Sequence, residues 1–105
     1  MKIIETSFFT KRMKNLLPDE DYRNFQNDLI RNPGKGKLIS GSGGLRKVRW
    51  SIPGKGKSGG VRIIYYWAKT KEVILMLLIY SKNEQDDLSI EQLKILKTLV
   101  EKEFK

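Results

Sequence analysis

The hydrophobic and polar positions of this chain have two different periods, one helical and one extended. In the first third, apolar side chains recur every three or four residues, which is the period of one helix face. A short strand candidate at Lys2–Glu5 precedes them, and Thr6 or Ser7 is a suitable cap for a first helix. Pro18 suits the first position of a second helix, which Asn32-Pro33-Gly34 ends. The pattern therefore predicts two amphipathic helices in series.

Three later segments have the composition of β-strands. Leu45–Ser51 alternates basic and apolar residues, and Val61–Ala68 is rich in β-branched and aromatic side chains. Val73–Tyr80 is apolar on both faces, which favours a position at the centre of the sheet. The intervening Lys35–Gly44 segment, with its many glycines, is predicted to be a loop.

The end of the chain has the signature of a helix N-terminus. Ser89 and Gln92 have the spacing of a capping box, and a helix from about Ile90 to Phe104 follows. The predicted order is β-α-α-β-β-β-α. Short links between consecutive strands predict an α+β fold with a small, largely antiparallel sheet, on which an N-terminal helical hairpin and a C-terminal helix pack. At 105 residues, we expect a single domain over residues 1–105.

Charge changes this picture, because the formal net charge of +9 is concentrated in one window. From Leu29 to Lys71 there is no Asp or Glu, whereas there are eleven Lys or Arg and all nine glycines. The residues outside this window include ten Lys or Arg and twelve Asp or Glu. Such an asymmetry indicates a surface for a polyanion, although charge alone does not separate nucleic acid from an anionic membrane surface.

Several classes of chemistry are excluded by residues that the chain lacks. Cysteine and histidine are both absent, so disulfides, thiolate metal sites and a serine–histidine–aspartate triad are not possible. We expect no metal and no cofactor. The longest apolar run has eight residues, against roughly 20 needed to cross a bilayer, and the start lacks the features of a secretory signal. We therefore expect a cytoplasmic protein.

The basic residues of the predicted strands form a candidate site. Lys47 and Arg49 share a strand face, Arg62 lies on the next strand, and Lys82 follows the central strand. The loop between the first two of these strands matches a G-x-G-x-x-G pattern, but it leads into a strand, whereas a dinucleotide site needs a helix there. We therefore interpret its lysines, Lys55 and Lys57, electrostatically.

Aromatic residues lie within or beside these strands, where nucleic-acid bases could stack on them. Core packing is expected for more than half of them, and Tyr66 is the best exception because it shares the face of Arg62. RNA cleavage would also require proton transfer, which histidines usually perform. Clustered Lys and Arg can stabilise a charged phosphorane, and Glu84 and Tyr80 are possible proton carriers. Composition alone supports no more than a polyanion-binding domain.

Four segments resemble a known family. GGLRKVRW, GKGKSGG, VRIIYYW and IYSKNEQDDLS are similar to sequences of the RelE/ParE toxin superfamily. They are most similar to HigB-type toxins of bacterial type II toxin–antitoxin modules, and the resemblance covers nearly the whole chain. It implies an α+β fold and a ribosome-dependent endoribonuclease, or mRNA interferase, that cuts mRNA in the ribosomal A site and stops translation.

The resemblance also implies residue roles. The catalytic positions that it assigns are Lys47, Arg49, Arg62 and Lys82. Asn83 stands where RelE-like sequences often have another arginine, and residues 81–105 contain no tyrosine, so the acid and base stay open. Contacts with RNA or the ribosome are expected from five further basic residues of the window and from one tyrosine: Lys35, Lys37, Arg46, Lys55, Lys57 and Tyr66.

The partners implied by the resemblance are the ribosome, mRNA and a cognate antitoxin that is HigA-like and DNA-binding; no membrane is expected. The antitoxin can either cover the basic cluster or block access to the ribosome from a distance, and the sequence does not choose. Two other functions stay open. ParE-type relatives share the fold but inhibit DNA gyrase and lack the basic cluster, and a non-catalytic nucleic-acid-binding module is the third possibility.

Overall fold

The computed structural model describes residues 1–52 and 60–104, and a five-stranded sheet organises this part of the chain. The strands are β1 (Lys2–Glu5), β2 (Lys37–Leu38), β3 (Leu45–Trp50), β4 (Val61–Ala68) and β5 (Val73–Ser81). Their order across the sheet is β1-β5-β4-β3-β2. Strands β2 to β5 form an antiparallel meander, and β1 pairs parallel to β5 at one edge. The predicted largely antiparallel α+β fold is confirmed.

Three α-helices accompany the sheet: α1 (Ser7–Leu16), α2 (Asp19–Arg31) and α3 (Ile90–Phe104); Lys69–Lys71 forms one 3₁₀ turn. Thr6 caps α1, since its Oγ1 accepts the Phe9 N–H at 3.1 Å. At α3, the Ser89 hydroxyl accepts the Gln92 N–H at 3.1 Å, and the Gln92 side-chain carbonyl oxygen accepts the Ser89 N–H at 3.0 Å. This confirms the predicted capping box. None of the helices in the described part of the chain is long and apolar enough to cross a bilayer.

Each face of the sheet has its own hydrophobic core. Helices α1 and α2 cover one face, where their apolar stripes meet alternate residues of the strands: Phe9, Met13, Leu17, Tyr22, Phe25, Leu29, Val48, Ile52, Val61, Ile63, Tyr65, Ile74, Met76 and Ile79. Helix α3 covers the other face, where the opposite strand positions meet it: Leu45, Ile64, Leu75, Leu77, Leu78, Tyr80, Leu96 and Val100. Packing on both faces of one sheet explains why β4 and β5 are apolar on both sides.

The structure differs from the sequence prediction in a few places. Strand β2 lies inside the segment predicted to be a loop, because two residues among glycines are too short to show a period of two. Pro18 is the N-cap of α2 and not its first helical residue. Strand β5 is internal, but the middle strand of the five is β4. The predictions for Lys55 and Lys57 concern positions outside the described residues.

A set of hydrogen bonds fixes the segment that leads into β2. The Tyr65 hydroxyl donates to the Pro33 carbonyl at 2.6 Å and accepts the Gly36 N–H at 2.8 Å. The Arg46 guanidinium donates to the carbonyls of Gly34 and Gly36 at 3.1 and 2.8 Å. A Cβ at Gly36 would lie 2.7 Å from the Tyr65 ring, so this close approach requires glycine. The segment is thereby held against β3 and β4.

Candidate nucleic-acid interface

Four basic side chains lie on the α3 side of the sheet, on three neighbouring strands. Lys37 of β2 is the direct partner of Lys47 of β3, and Arg49 of β3 is the direct partner of Arg62 of β4. Alternation along β3 places Lys47 and Arg49 on the face of Leu45, which packs against α3. Directly opposed residues have Cβ atoms only about 4.5–5.5 Å apart. We call Lys37, Lys47, Arg49 and Arg62 the basic row.

Exposure differs along the basic row. Lys37 and Arg49 are exposed and Lys47 is half-buried, whereas Arg62 is only 8% exposed. Arg62 lies on the middle strand, between Arg49 on one side and Tyr80 on the other. Two arginines in one cross-strand pair are like charges, and such a pair costs stability unless an anion neutralises it. The geometry therefore suits the binding of a phosphate.

A carboxylate from the segment before α3 reaches this row. Asp87 Oδ1 lies 2.9 Å from Lys47 Nζ and also accepts the Leu88 N–H at 2.8 Å. The hydrogen bond from Lys47 is the main cause that lowers the pKa of Asp87, and the charge of Arg62 contributes in the same direction. Asp87 could not be predicted as a member of this site, because nothing in the sequence links it to a lysine 40 residues earlier.

Replacing Asp87 by Asn should strengthen RNA binding by the free protein. Its carboxylate would compete with a bound phosphate for Lys47, and an exposed ion pair of this kind contributes about 0.2–1 kcal/mol. We expect Asp87→Asn to bind a short single-stranded RNA about two- to fivefold more tightly at low salt, as measured by fluorescence anisotropy. Asp86→Asn makes the same change of charge at the neighbouring exposed position. Equal gains in the two variants would mean that only net charge matters.

The edge of β3 carries a hollow of about 500 Å³ beside the basic row, lined by Lys35, Lys37, Lys47, Val48 and Arg49. Strand β2 pairs only with Arg46 and Lys47. Within the described residues, the rest of β3 therefore has no partner strand on the side of β2, and this leaves the hollow open. Lys35 forms an ion pair with Asp28 and lies 5.3 Å from the centre of the Trp50 ring. Three of the predicted RNA-binding or catalytic lysines thus meet at one hollow.

Two other predicted basic residues are not members of the row. Arg46 points to the opposite face of β3, where its guanidinium holds the carbonyls of Gly34 and Gly36. These hydrogen bonds give Arg46 a structural contact on that face, and its contact with RNA stays a prediction. Lys82 is exposed in the turn after β5, two residues beyond Tyr80, which is the direct partner of Arg62.

The two proposed proton carriers, Glu84 and Tyr80, have surroundings that restrict them. Glu84 forms an ion pair with Arg12 and accepts the Ser81 N–H at 3.0 Å. The hydrogen bond from the Ser81 backbone is the main cause that lowers the pKa of Glu84, and the contact with Arg12 adds to it. Tyr80 is completely buried, and burial raises the pKa of its phenol, as does the charge of Asp87, while Arg62 opposes the shift. The Tyr80 hydroxyl has no hydrogen-bond partner among the described residues. In this conformation Glu84 is engaged by Arg12, and Tyr80 is shielded from solvent.

The aromatic residues serve mainly as core. Tyr65 and Tyr80 are fully buried, and the Trp50 ring packs edge-on against Phe25 at 5.3 Å. Tyr66 is half-buried, with its ring centre 5.5 Å from that of Phe104, near the end of β4 opposite to Arg62. Tyr66 lies on the same face of the sheet as the basic row, four residues along β4 from Arg62, and its contact with RNA stays a prediction. Acidic side chains in the described part of the chain do not converge to form a metal site.

Comparison with known proteins identifies the family. A family model described as the RelE toxin of the RelE/RelB toxin–antitoxin system matches residues 1–105. The chain is similar in structure to a mutant of the E. coli toxin RelE in the free state, with 11% sequence identity over 81% of this chain and 86% of that one and a TM-score of 0.57. It is also similar to a chain of the intact E. coli RelBE toxin–antitoxin complex, with 14% identity over 76% and 94% of the two chains and a TM-score of 0.57. These two structural similarities show the fold, and the match to the family model shows the family. The chain belongs to the RelE family of toxins from toxin–antitoxin systems.

Proposed function

We propose that this toxin is a ribosome-dependent endoribonuclease that cleaves mRNA in the ribosomal A site. Membership of the RelE family supports a toxin, and the basic row supports an RNA phosphate as its target. The single observation that carries the proposal is the direct opposition of Arg49 and Arg62, with Lys47 on the same face of the sheet. A solvating surface would not need two guanidinium groups in one cross-strand pair.

The chemistry required of this site is limited. The 2′-oxygen of a ribose attacks the adjacent phosphorus as its proton passes to solvent, which forms a 2′,3′-cyclic phosphate. The bond from phosphorus to the 5′-oxygen breaks as that oxygen takes up a proton. Arg49 and Arg62 would stabilise the extra negative charge on the phosphorane, since preorganised donors act strongly where charge develops. Of the predicted catalytic residues, Lys47 and Lys82 carry exchangeable protons that the leaving oxygen could receive. The ion pair of Glu84 with Arg12 and the complete burial of Tyr80 argue against both as alternatives.

Dependence on the ribosome agrees with the distribution of charge. The acid-free window supplies eleven of the basic residues, which is more than one phosphate requires and suits a second polyanion such as ribosomal RNA. Within the family, the HigB subtype, a HigA-like antitoxin and a cytoplasmic location stay predictions. So does contact of the Lys55 and Lys57 loop with RNA.

Mapping of mRNA 5′ ends after induction of the toxin tests the proposal in cells. We expect new ends inside translated codons, and their disappearance when initiation on the same mRNA is blocked. The alternative of a ParE-like gyrase inhibitor predicts the opposite, with intact mRNA and damaged DNA. A non-catalytic binding module predicts neither cuts nor DNA damage.

A further inference from the structure

A hollow of about 400 Å³ lies at the end of β4 that is farther from Arg62. Within the described residues, β3 begins at Leu45, which pairs with Tyr66, so the last two residues of β4 have no partner on the side of β3. The opening that this leaves is bounded by the turn after β4, the glycines before β3 and the end of α3. We call it the aromatic hollow, after its aromatic and basic lining residues, which are Arg46, Tyr66, Trp67, Lys69, Lys71 and Phe104.

Three aromatic rings give the aromatic hollow flat apolar walls. The ring centres of Tyr66 and Phe104 are 5.5 Å apart, and Trp67 follows Tyr66 in β4. All three side chains are only half-buried. Gly44 allows the loop to pass close to this wall, since its φ is +111° and a Cβ there would lie 2.9 Å from the Tyr66 ring. Rings of this kind stack with any nucleobase, because every base has a π face.

The charge of the aromatic hollow is positive. Lys69 and Lys71 are exposed, and their Nζ atoms lie 4.9 Å from the centre of the Trp67 ring and 5.7 Å from that of the Phe104 ring. The guanidinium of Arg46 adds a charge that its hydrogen bonds hold in place. Among the described residues, no acidic side chain lines the hollow. Exposed lysines change rotamer within picoseconds to nanoseconds, so both ammonium groups are able to leave the rings and contact an anion.

This combination narrows the class of ligand. A simple anion would make no use of the aromatic walls, and an apolar ligand would make no use of Lys69 and Lys71. A nucleotide carries a flat base and a phosphate on one molecule, and it matches a hollow in which each wall ring has an ammonium group beside it.

We propose that the aromatic hollow binds a nucleotide, with the base against the aromatic rings and the phosphate beside Lys69 and Lys71. It is a second site, because the basic row contributes no residue to it and Tyr66 lies four residues, or about 13 Å, from Arg62 along β4. The nucleotide is either a free nucleoside monophosphate or one unit of an RNA strand. The inference rests on the proposed function only for the second source. Arg46 and Tyr66, which the sequence predicts to contact RNA, both line this hollow.

Titration of the purified toxin with AMP tests the site, followed by NMR through the indole N–H signals of the two tryptophans. Trp67 lines the aromatic hollow, whereas Trp50 lies beside Lys35 near the basic row, so each signal reports on one site. Trp67→Phe assigns the signals. We expect AMP to shift the Trp67 signal at lower concentration than the Trp50 signal. Inorganic phosphate should act on Trp67 at least about tenfold more weakly, because it cannot stack.

Substitutions in the hollow separate a nucleotide site from a general anion surface. Lys69→Ala with Lys71→Ala should weaken AMP binding at least about fivefold, since the phosphate loses both ammonium groups. Phe104→Leu keeps an apolar side chain but removes a ring, and it should weaken AMP binding by a similar factor. Thermal unfolding checks that each variant is folded. The matched control is Lys11→Ala with Lys14→Ala, which removes the same charge from exposed positions on α1 and should bind AMP within about twofold of the wild type.

A single-stranded RNA of about eight nucleotides distinguishes the two sources, because about four stacked nucleotides span the distance between the sites. If an RNA strand is the source, this RNA shifts both indole signals, and Lys69→Ala with Lys71→Ala weakens its binding at least about fivefold. If a free nucleotide is the source, the RNA binds the variant and the wild type equally, and AMP alone shifts the Trp67 signal.

Three results would overturn the nucleotide site. They are a Trp67 signal that neither AMP nor the RNA shifts, a shift that phosphate produces as effectively as AMP, and equal losses of AMP binding in the two double-lysine variants. A toxin that binds AMP in the aromatic hollow but never cuts mRNA would refute the proposed function alone.

Discussion

Arg62→Ala is expected to lower ribosome-dependent mRNA cleavage by at least about 100-fold. Arg62 lies on the middle strand, directly opposite Arg49, where its guanidinium can contact the phosphate on which charge develops. Removal of one such donor typically costs about 10²–10³ in rate. Single-turnover cleavage of mRNA on purified ribosomes measures this loss directly. Toxicity on induction should fall in parallel.

The control has to separate catalysis from folding, because Arg62 is only 8% exposed. Arg49→Ala removes the opposing guanidinium from an exposed position, so it should lose cleavage with little change in Tm. Arg62→Lys keeps the charge but not the planar fork of donors, and we expect an intermediate rate. Arg31→Ala makes the same loss of charge at an exposed position on α2 and should cleave normally. A folded Arg62→Ala protein that cuts within about threefold of the wild type would contradict the assignment of the site.

Tyr65→Phe is expected to destabilise the protein by about 1–3 kcal/mol. The Tyr65 hydroxyl donates to the Pro33 carbonyl and accepts the Gly36 N–H, and its loss leaves two backbone groups without this partner. For a domain of this size, each kcal/mol lowers Tm by roughly 4–8 °C. Thermal unfolding followed by circular dichroism measures the effect. Because the segment carries Lys35 and Lys37, a weaker affinity for RNA should accompany it.

Tyr80→Phe is the matched control for this prediction. Tyr80 is as completely buried as Tyr65, but its hydroxyl has no hydrogen-bond partner within the described residues. Removal of an unsatisfied polar group is neutral or stabilising, so we expect Tm to stay the same or rise. Cleavage should also be retained, because Tyr80 is shielded from solvent. Equal losses of stability in the two variants would show that the hydrogen bonds of Tyr65 contribute nothing specific.

The main elements could be predicted from the sequence because each one has a local signal. The capping box of α3 requires only the spacing of Ser89 and Gln92, and β4 requires only a run of β-branched and aromatic residues. The faces of β3 and β4 followed from a period of two, which is why Lys47, Arg49 and Arg62 could be placed together. Strand β2 could not be predicted, because its two residues carry no strand signal of their own. They are a strand only because they pair with β3.

The candidate site was harder to predict because its members are linked by contacts between distant residues. The ion pair of Lys47 with Asp87 has no sequence signal. Arg46 belongs to the same basic segment as Lys47, but one step along the strand turns its side chain to the other face and to the carbonyl groups that it binds. Glu84 and Tyr80 were reasonable candidates for proton transfer, because a carboxyl group and a phenol can each carry a proton. Only the contact with Arg12 and the complete burial of Tyr80 argue against those roles.

Cleavage of a defined mRNA on purified ribosomes tests the central claim most directly. The wild-type toxin is added to ribosomes that hold a tRNA in the P site and an open A-site codon, and to the same mRNA alone. We expect a cut in the A-site codon with ribosomes, little or none without them, and loss of the cut in Arg62→Ala. An mRNA that stays intact on the ribosome, or that is cut equally well alone, would contradict ribosome-dependent cleavage at this site.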